Sequence, residues 1–91
     1  MATFLIERTI PGASDLSSEQ LAEIATTSND VVDSLGVPYT WSHSYVAGDK
    51  FYCVHQTDDA DSVREHARRG GFPADLVVEV AATIGPATAD D

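Results

Sequence analysis

The chain has 91 residues, of which 15 are acidic and 5 basic, giving a formal net charge of −10. This length suits one domain, and the acidic excess argues against a nucleic-acid binder, which needs basic side chains to neutralise phosphates. The same excess argues against docking on an anionic membrane. Hydrophobic residues make up 43% of the chain, too many for a disordered acidic segment, and no apolar run is long enough to cross a bilayer.

The predicted elements begin with a strand and a long helix. Residues 3–10 are rich in β-branched and apolar types and predict a strand that ends at a Pro-Gly pair. Residues 17–35 predict a helix, because Ser17 and Gln20 have the spacing of a capping box. Gly36 suits the position just after the end of this helix.

The second half of the chain predicts a hairpin, a helix and a last strand. Residues 39–46 and 51–57 are aromatic and β-branched, and the tight-turn residues 47–50 lie between them. Residues 59–69 predict a helix with two arginines in its last turn and a Gly-Gly pair at its end. Residues 76–84 predict the final strand.

The order of these elements is β-α-β-β-α-β. It predicts an α+β, ferredoxin-like sandwich, in which a four-stranded antiparallel sheet carries two helices on one face. We expect a single domain over residues 1–85 and a flexible acidic tail over residues 86–91. The single cysteine cannot form an internal disulfide, and the N-terminus does not resemble a signal peptide, so we expect a cytoplasmic protein.

Alternation along each strand sorts its side chains into two faces. The residues predicted to lie under the helices are Phe4, Ile6, Val54, Val78 and Val80. The opposite face is then expected to carry Leu5, Glu7, Phe51, Cys53, His55, Val77 and Glu79. Because the helices cover only one face, we expect this second, largely apolar face to be buried in a homodimer, with a pocket between the two sheets.

The hairpin register decides which face carries His43. A two- or four-residue turn places His43 opposite Val54, whereas a three-residue turn places it beside Cys53 or His55. The sequence leaves both registers open.

Cys53 and His55 are two residues apart on one strand, so their side chains lie on one face about 7 Å apart. With Glu7 and Glu79 on that face, thiolate, imidazole and carboxylate groups converge, a set that suits Ni²⁺, Zn²⁺ or Cu²⁺. The alternative is that Cys53 is a small buried hydrophobic side chain. His66 borders the apolar stripe of the second helix, where it either packs against the core or reaches over a sheet end as a ligand.

Five segments of the chain carry a resemblance to a known family: FLIERTIP (4–11), WSHSYV (41–46), FYCV (51–54), VREHARRGGFPAD (63–75) and VVEV (77–80). Together they resemble a family of small bacterial proteins described as nickel-responsive or nickel-binding. The resemblance implies a ferredoxin-like fold, often dimeric, with nickel as the bound metal. It favours Cys53, His66 and Glu79 as ligands, and a subgroup motif adds His43. Some nickel-binding relatives have further histidines in the first strand and helix, where this chain has only Glu7.

Three functional hypotheses follow from these patterns. The first is a cytoplasmic, dimeric protein that sequesters or responds to nickel or another divalent transition metal through Cys53, His66, Glu79, His43 and Glu7. The second is a dimeric α+β barrel that binds a small organic ligand, or an enzyme, with the open sheet face as its pocket. The third is an interaction module whose dimer face is its whole function. We favour the first, with a binding role rather than catalysis.

Overall fold

The regular elements follow the predicted order along the chain. In the computed structural model, which describes residues 1–90, the strands are β1 (Ala2–Thr9), β2 (Tyr39–Ala47), β3 (Lys50–Thr57) and β4 (Leu76–Glu79). The helices are α1 (Ser18–Ser34) and α2 (Ala60–Gly70), and short 3-10 helices lie at Ala13–Asp15 and Pro86–Asp90.

The four strands form one antiparallel sheet in the order β2-β3-β1-β4. Buried side chains of β1 and β3 pack with Val63 of α2, and Leu21 and Ile24 of α1 pack against the same core. This architecture confirms the predicted ferredoxin-like α+β fold. Within residues 1–90, none of the helices has the length and apolar character needed to cross a membrane.

Local sequence signals account for the helix ends. Ser17 Oγ accepts a hydrogen bond from the Gln20 N–H at 3.1 Å, and Gln20 Oε1 accepts one from the Ser17 N–H at 2.9 Å, which confirms the capping box. Asp59 caps α2 by accepting from the Ser62 N–H at 2.8 Å. The backbone leaves α2 through Gly71, whose φ of 71° lies in the left-handed region that favours glycine.

Strand β4 is shorter than the predicted range 76–84 and ends at Glu79. The last hydrogen bond between β4 and β1 runs from the Val80 N–H to the Thr3 carbonyl at 2.8 Å. Continuing this register places Ala81 opposite Ala2, where β1 begins, so the residues after Ala81 have no strand beside them. Apolar, β-branched composition alone does not hold a segment in a sheet without a partner strand.

The acidic tail was predicted to be flexible over residues 86–91. Its part from residue 86 to residue 90 forms the exposed second 3-10 helix, and Asp91 lies outside the described residues. The flexibility of this segment stays a prediction.

Directly opposed residues of antiparallel strands have side chains on the same face. Ile6 lies opposite Cys53 and Phe4 lies opposite His55, so all four share the helix-covered face, where they are buried. The prediction placed Phe4 and Ile6 under the helices but Cys53 and His55 on the open face, and it is wrong. Alternation sorts the residues within one strand, whereas the register between strands decides which sets lie together.

The open face is built from the other set of side chains. Leu5 lies opposite Val54 on one side and Val78 on the other, and Glu7 lies opposite Tyr52. Val54 and Val78 were predicted to lie under the helices, and Leu5 and Glu7 beside the cysteine, so this part of the prediction is also wrong. The open face keeps an apolar character, since Val78 is 40% exposed.

A two-residue turn joins β2 to β3, and His43 therefore lies opposite Val54 on the open face. A β-bulge between Trp41 and His43 reverses the alternation, so that Trp41 lies opposite His55 on the helix-covered face. Ser44 is on that face too, and its Oγ accepts a hydrogen bond from Trp41 Nε1 at 2.9 Å. Sequence alternation alone had placed Trp41 and His43 together.

Candidate functional site

A cavity of about 280 Å³ lies between the two helices and the helix-covered face of the sheet. Its apolar lining is made by Ile10, Leu21, Ile24, Ala25, Trp41, Val46, Phe51 and Phe72. Its polar lining is made by Arg8, Ser28, Ser44, Cys53, His55 and His66. An apolar pocket with a few convergent polar groups is the usual form of a small-molecule site.

Two buried histidines form one wall of this cavity. His55 from β3 and His66 from α2 are each 1% exposed, and their ring centroids are 4.9 Å apart in an edge-to-face arrangement. The Tyr39 hydroxyl is hydrogen-bonded to His55 Nδ1 at 2.5 Å, and the Tyr39 ring stacks on His66 with centroids 5.4 Å apart. These contacts hold both imidazoles in fixed orientations.

His66 has one ring nitrogen bound and one unbound. Its Nε2 is 3.0 Å from Ser28 Oγ on α1, and its ring stacks on Phe72 with centroids 5.7 Å apart. Among residues 1–90, Nδ1 of His66 has no hydrogen-bond partner although it is buried. A buried polar atom without a partner is costly, so the position of His66 is held by its other contacts rather than by Nδ1.

Both imidazoles are uncharged at neutral pH. Burial, with smaller contributions from the neighbouring His66 and Arg8, lowers the pKa of His55 to about 3. Burial lowers the pKa of His66 to about 4, with Arg8 as the second cause and the Ser28 backbone opposing it. Burial also raises the pKa of Tyr39. Each neutral imidazole therefore offers one N–H donor and one lone pair.

Arg8 of β1 brings a buried positive charge to the cavity. The side chain is 3% exposed, its Nη1 donates to the Pro73 carbonyl at 2.5 Å, and its guanidinium lies 5.4 Å from the centre of the Phe72 ring. The ring reaches this position because Gly70 has no side chain: a Cβ there would lie 2.5 Å from Phe72 Cε2. The GGFP segment after α2 thus sets one side of the cavity.

The structure brings two of the five predicted metal ligands into one cavity. Cys53, 5% exposed on β3, and His66 on α2 both contribute to its lining. The predicted face assignment had separated them, and that separation is wrong because Cys53 points toward the helices. Cys53 is also part of the apolar core, which agrees with the alternative reading of a small buried hydrophobic side chain.

The other three predicted ligands lie elsewhere. Glu7 is on the open face, where it is paired with Lys50. His43 is exposed on the open face and packs against Tyr45, with ring centroids 5.2 Å apart. Glu79 shares the helix-covered face but is exposed on the edge strand β4, two strands or about 10 Å from the β3 position of His55.

The donor set does not fit a nickel centre in this arrangement. Within residues 1–90, no three His, Cys, Asp or Glu side chains are grouped so that they could hold a metal ion. Cys53, His55 and His66 share a cavity, but Arg8 is close enough to lower both histidine pKa values, and its charge opposes a divalent cation in the same way.

The cavity residues Arg8, Ser28, His55 and Phe72 were not among the five predicted ligands, and neither was Tyr39, which is hydrogen-bonded to His55. Arg8 carried a usable signal, because it continues the i, i+2, i+4 alternation of Phe4 and Ile6 and therefore belongs to a buried face. A buried arginine is rare unless it is paired, so this pattern could have predicted Arg8 as a residue of the site. Ser28 and Tyr39 carried no comparable signal, since only the packing of α1 and β2 brings them here.

Comparison with known proteins places this fold in a family. The model of the family described as "Nickel responsive protein SCO4226-like" matches residues 4–80. The chain belongs to this family. Among solved structures, the crystal structure of SCO4226 from Streptomyces coelicolor A3(2) matches it with a TM-score of 0.76 and 21% sequence identity, covering 91% of this chain and 100% of that chain. No curated protein matches the chain. The structural likeness confirms the fold.

Proposed function

We propose that this nickel-responsive family member is a binding protein whose site is the cavity between the helices and the sheet. The observation that carries the proposal is the partly open cavity of about 280 Å³, with apolar walls and the buried Arg8, His55 and His66 on its lining. Its volume is near the lower end of small-molecule pockets, roughly 300–1,000 Å³. The ligand is therefore small and partly apolar. The site differs from the predicted pocket on the open sheet face.

Binding is better supported than catalysis by the two histidines. A general base acts most effectively when its pKa is near the working pH. Burial holds the pKa of His55 at about 3 and that of His66 at about 4, so neither imidazole accepts a proton readily at neutral pH. Their rings are instead fixed by Tyr39 and Ser28, which suits recognition of a ligand of defined shape.

The experiment uses the single tryptophan, since Trp41 lines the cavity and its fluorescence reports on occupancy. Purified protein is titrated with benzamide, a neutral aromatic probe of suitable size, and binding is followed by fluorescence and by ¹H–¹⁵N NMR. Substituting Ala25→Phe fills the cavity from α1 and should abolish binding, whereas Ala22→Phe on the exposed side of the same helix should leave it intact. Equal binding by both variants, or no binding of either benzamide or its matched acid benzoate by the unmodified chain, would refute the proposal.

Direct nickel binding is the second candidate, and one observation favours it. His66 Nδ1 is without a partner among residues 1–90, His55 touches the same ring, and Cys53 lines the same cavity. Imidazole and thiolate are both suitable ligands for nickel, and a neutral imidazole needs no deprotonation to ligate. The family description supplies the link to nickel, and the absence of a grouped donor set in residues 1–90 places this candidate second.

Calorimetric titration of the metal-free protein with Ni²⁺ tests this second candidate. If nickel binds in the cavity, His66→Gln should weaken binding at least about tenfold, whereas His43→Gln on the open face should not change it. Absence of saturable binding tighter than about 100 μM, or equal effects of the two substitutions, argues that nickel does not bind there.

A further inference from the structure

The five basic side chains of the chain differ in how they are neutralised. Four are exposed or half-exposed and lie within 4.0 Å of a carboxylate: Lys50 with Glu7, Arg64 with Asp61, and both Arg68 and Arg69 with Glu65. Arg8 is the fifth and the one that is buried, at 3% exposure. Among residues 1–90 no carboxylate lies within 4.0 Å of its guanidinium, although the chain has three acidic residues for each basic one.

The contacts that Arg8 does make leave most of its hydrogen-bonding capacity unused. One N–H donates to the Pro73 carbonyl, and the guanidinium carbon lies 5.4 Å from the centre of the Phe72 ring. A guanidinium has five N–H donors, arranged as a fork that matches a carboxylate or a phosphate. Asp75 follows in the same loop, where its carboxylate accepts the Thr9 backbone N–H at 2.5 Å. That hydrogen bond lowers the pKa of Asp75, and the charges of Lys50 and Arg8 lower it too, but Asp75 forms no ion pair with Arg8 within 4.0 Å.

A buried charge without a counter-charge is expensive, and proteins usually pair it or use it for a ligand. Arg8 lines the cavity, and apart from the bond to the Pro73 carbonyl its N–H donors have no hydrogen-bond partner among residues 1–90. The remaining walls of the site are largely apolar. Because His55 and His66 are uncharged, Arg8 is the charged side chain of the lining that can attract an anion.

We infer that the cavity binds a small organic carboxylate, with its anionic head on Arg8 and its apolar body against the aromatic and aliphatic walls. This inference rests on the proposed ligand-binding function and names the class of its ligand.

Matched probes separate the charge of the ligand from its shape. Benzoate and benzamide have nearly the same size, and octanoate with octanamide forms a second such pair. A charge-assisted hydrogen bond contributes about 1.5–3 kcal/mol, so each acid should bind at least about tenfold more tightly than its amide. In the unmodified chain, the Arg8 Nε–H resonance should shift with benzoate and not with benzamide, which tests the contact without any substitution.

Two substitutions complete the test. Arg8→Met keeps the length of the side chain and removes its charge, and it should abolish the preference for the acids while the amides still bind. Arg64→Met, on the exposed side of α2, is the matched control and should leave the preference unchanged. Unfolding curves establish that each variant is folded.

The titrations distinguish a failure of the carboxylate inference from a failure of the proposed binding function. If acids and amides bind equally in both pairs, or if the Arg8 resonance does not respond to benzoate, the inference is overturned while the proposed binding function stands. If neither acids nor amides bind, the proposed function fails as well. A preference for acids that disappears in Arg64→Met also overturns the inference, because the charge responsible is then on the surface.

Discussion

Acidification should destabilise the fold through its two buried histidines. An unfolded histidine has a pKa of about 6.5, whereas burial lowers the pKa to about 3 in His55 and about 4 in His66. Below pH 6.5 the unfolded chain therefore binds more protons than the folded chain. The free energy of unfolding is then highest above pH 6.5 and falls as the pH decreases toward the folded pKa values.

The magnitude follows from the same pKa values. Each buried histidine lowers the free energy of unfolding by roughly 1.4 kcal/mol for every pH unit below 6.5, until its folded pKa is reached. At about pH 5 the loss is about 2 kcal/mol for His55 and about 2 kcal/mol for His66. The sum, about 4 kcal/mol, is a large part of the 5–15 kcal/mol typical of small domains.

Urea unfolding curves between about pH 8 and pH 5 measure this effect. His55→Gln and His66→Gln should each remove part of the pH dependence, whatever their own cost in stability, because glutamine does not titrate. His43→Gln is the control and should keep the full dependence, since His43 is exposed on the open face. A free energy of unfolding that is flat across this range, or a dependence removed by His43→Gln alone, would show that the histidines are not buried as described.

The acidic side chains titrate at lower pH than the range of this measurement and therefore do not interfere with it. The Arg68 and Arg69 hydrogen bonds hold the pKa of Glu65 at about 2. A carboxylate of this kind contributes stability that is present above its unfolded pKa of about 4.3 and is lost as the pH falls below it. The histidine effect therefore begins near pH 6.5, and between pH 6.5 and 5 it precedes most of the protonation of these carboxylates.

Three further predictions address packing and assembly. Gly70→Ala should displace the Phe72 ring, because the added Cβ would lie 2.5 Å from it. The loss in free energy of benzoate binding, from the fluorescence titration, should exceed the loss in free energy of unfolding, from the change in melting temperature. Ser28→Ala leaves both nitrogens of His66 without a hydrogen bond, and urea unfolding should show a loss of about 1–3 kcal/mol. We also propose a homodimer through the apolar open face. Val54→Arg on that face should then convert a dimer to a monomer in sedimentation experiments, and an unmodified chain that is already monomeric contradicts this.

The element order and most element ends were predictable from sequence because their causes are local. The Ser17–Gln20 capping box depends on residues three apart, and the left-handed Gly71 on a single backbone angle. The same local patterns predicted a strand β4 that is too long, because the end of a strand depends on the partner strand beside it. Family membership was also readable from the linear motifs, and the match over residues 4–80 confirms it.

The candidate site depended on relations between distant strands, which sequence alternation does not contain. The pairing of Ile6 with Cys53 placed the cysteine and His55 under the helices, and the bulge after Trp41 moved that ring to the same side while His43 stayed on the open face. Each of these shifts involves one residue of register, and one residue is enough to exchange the two faces of a strand.

Composition and local patterns were enough to predict an acidic α+β domain with a ferredoxin-like order of elements and one cysteine among three histidines. The burial of two of those histidines beside an arginine that has no carboxylate within 4.0 Å among residues 1–90 results from the packing of elements that are distant in the sequence. Composition gives the number of charged side chains but does not show which of them form ion pairs. The pairing depends on which side chains the folded sheet and helices bring within a few ångströms of one another.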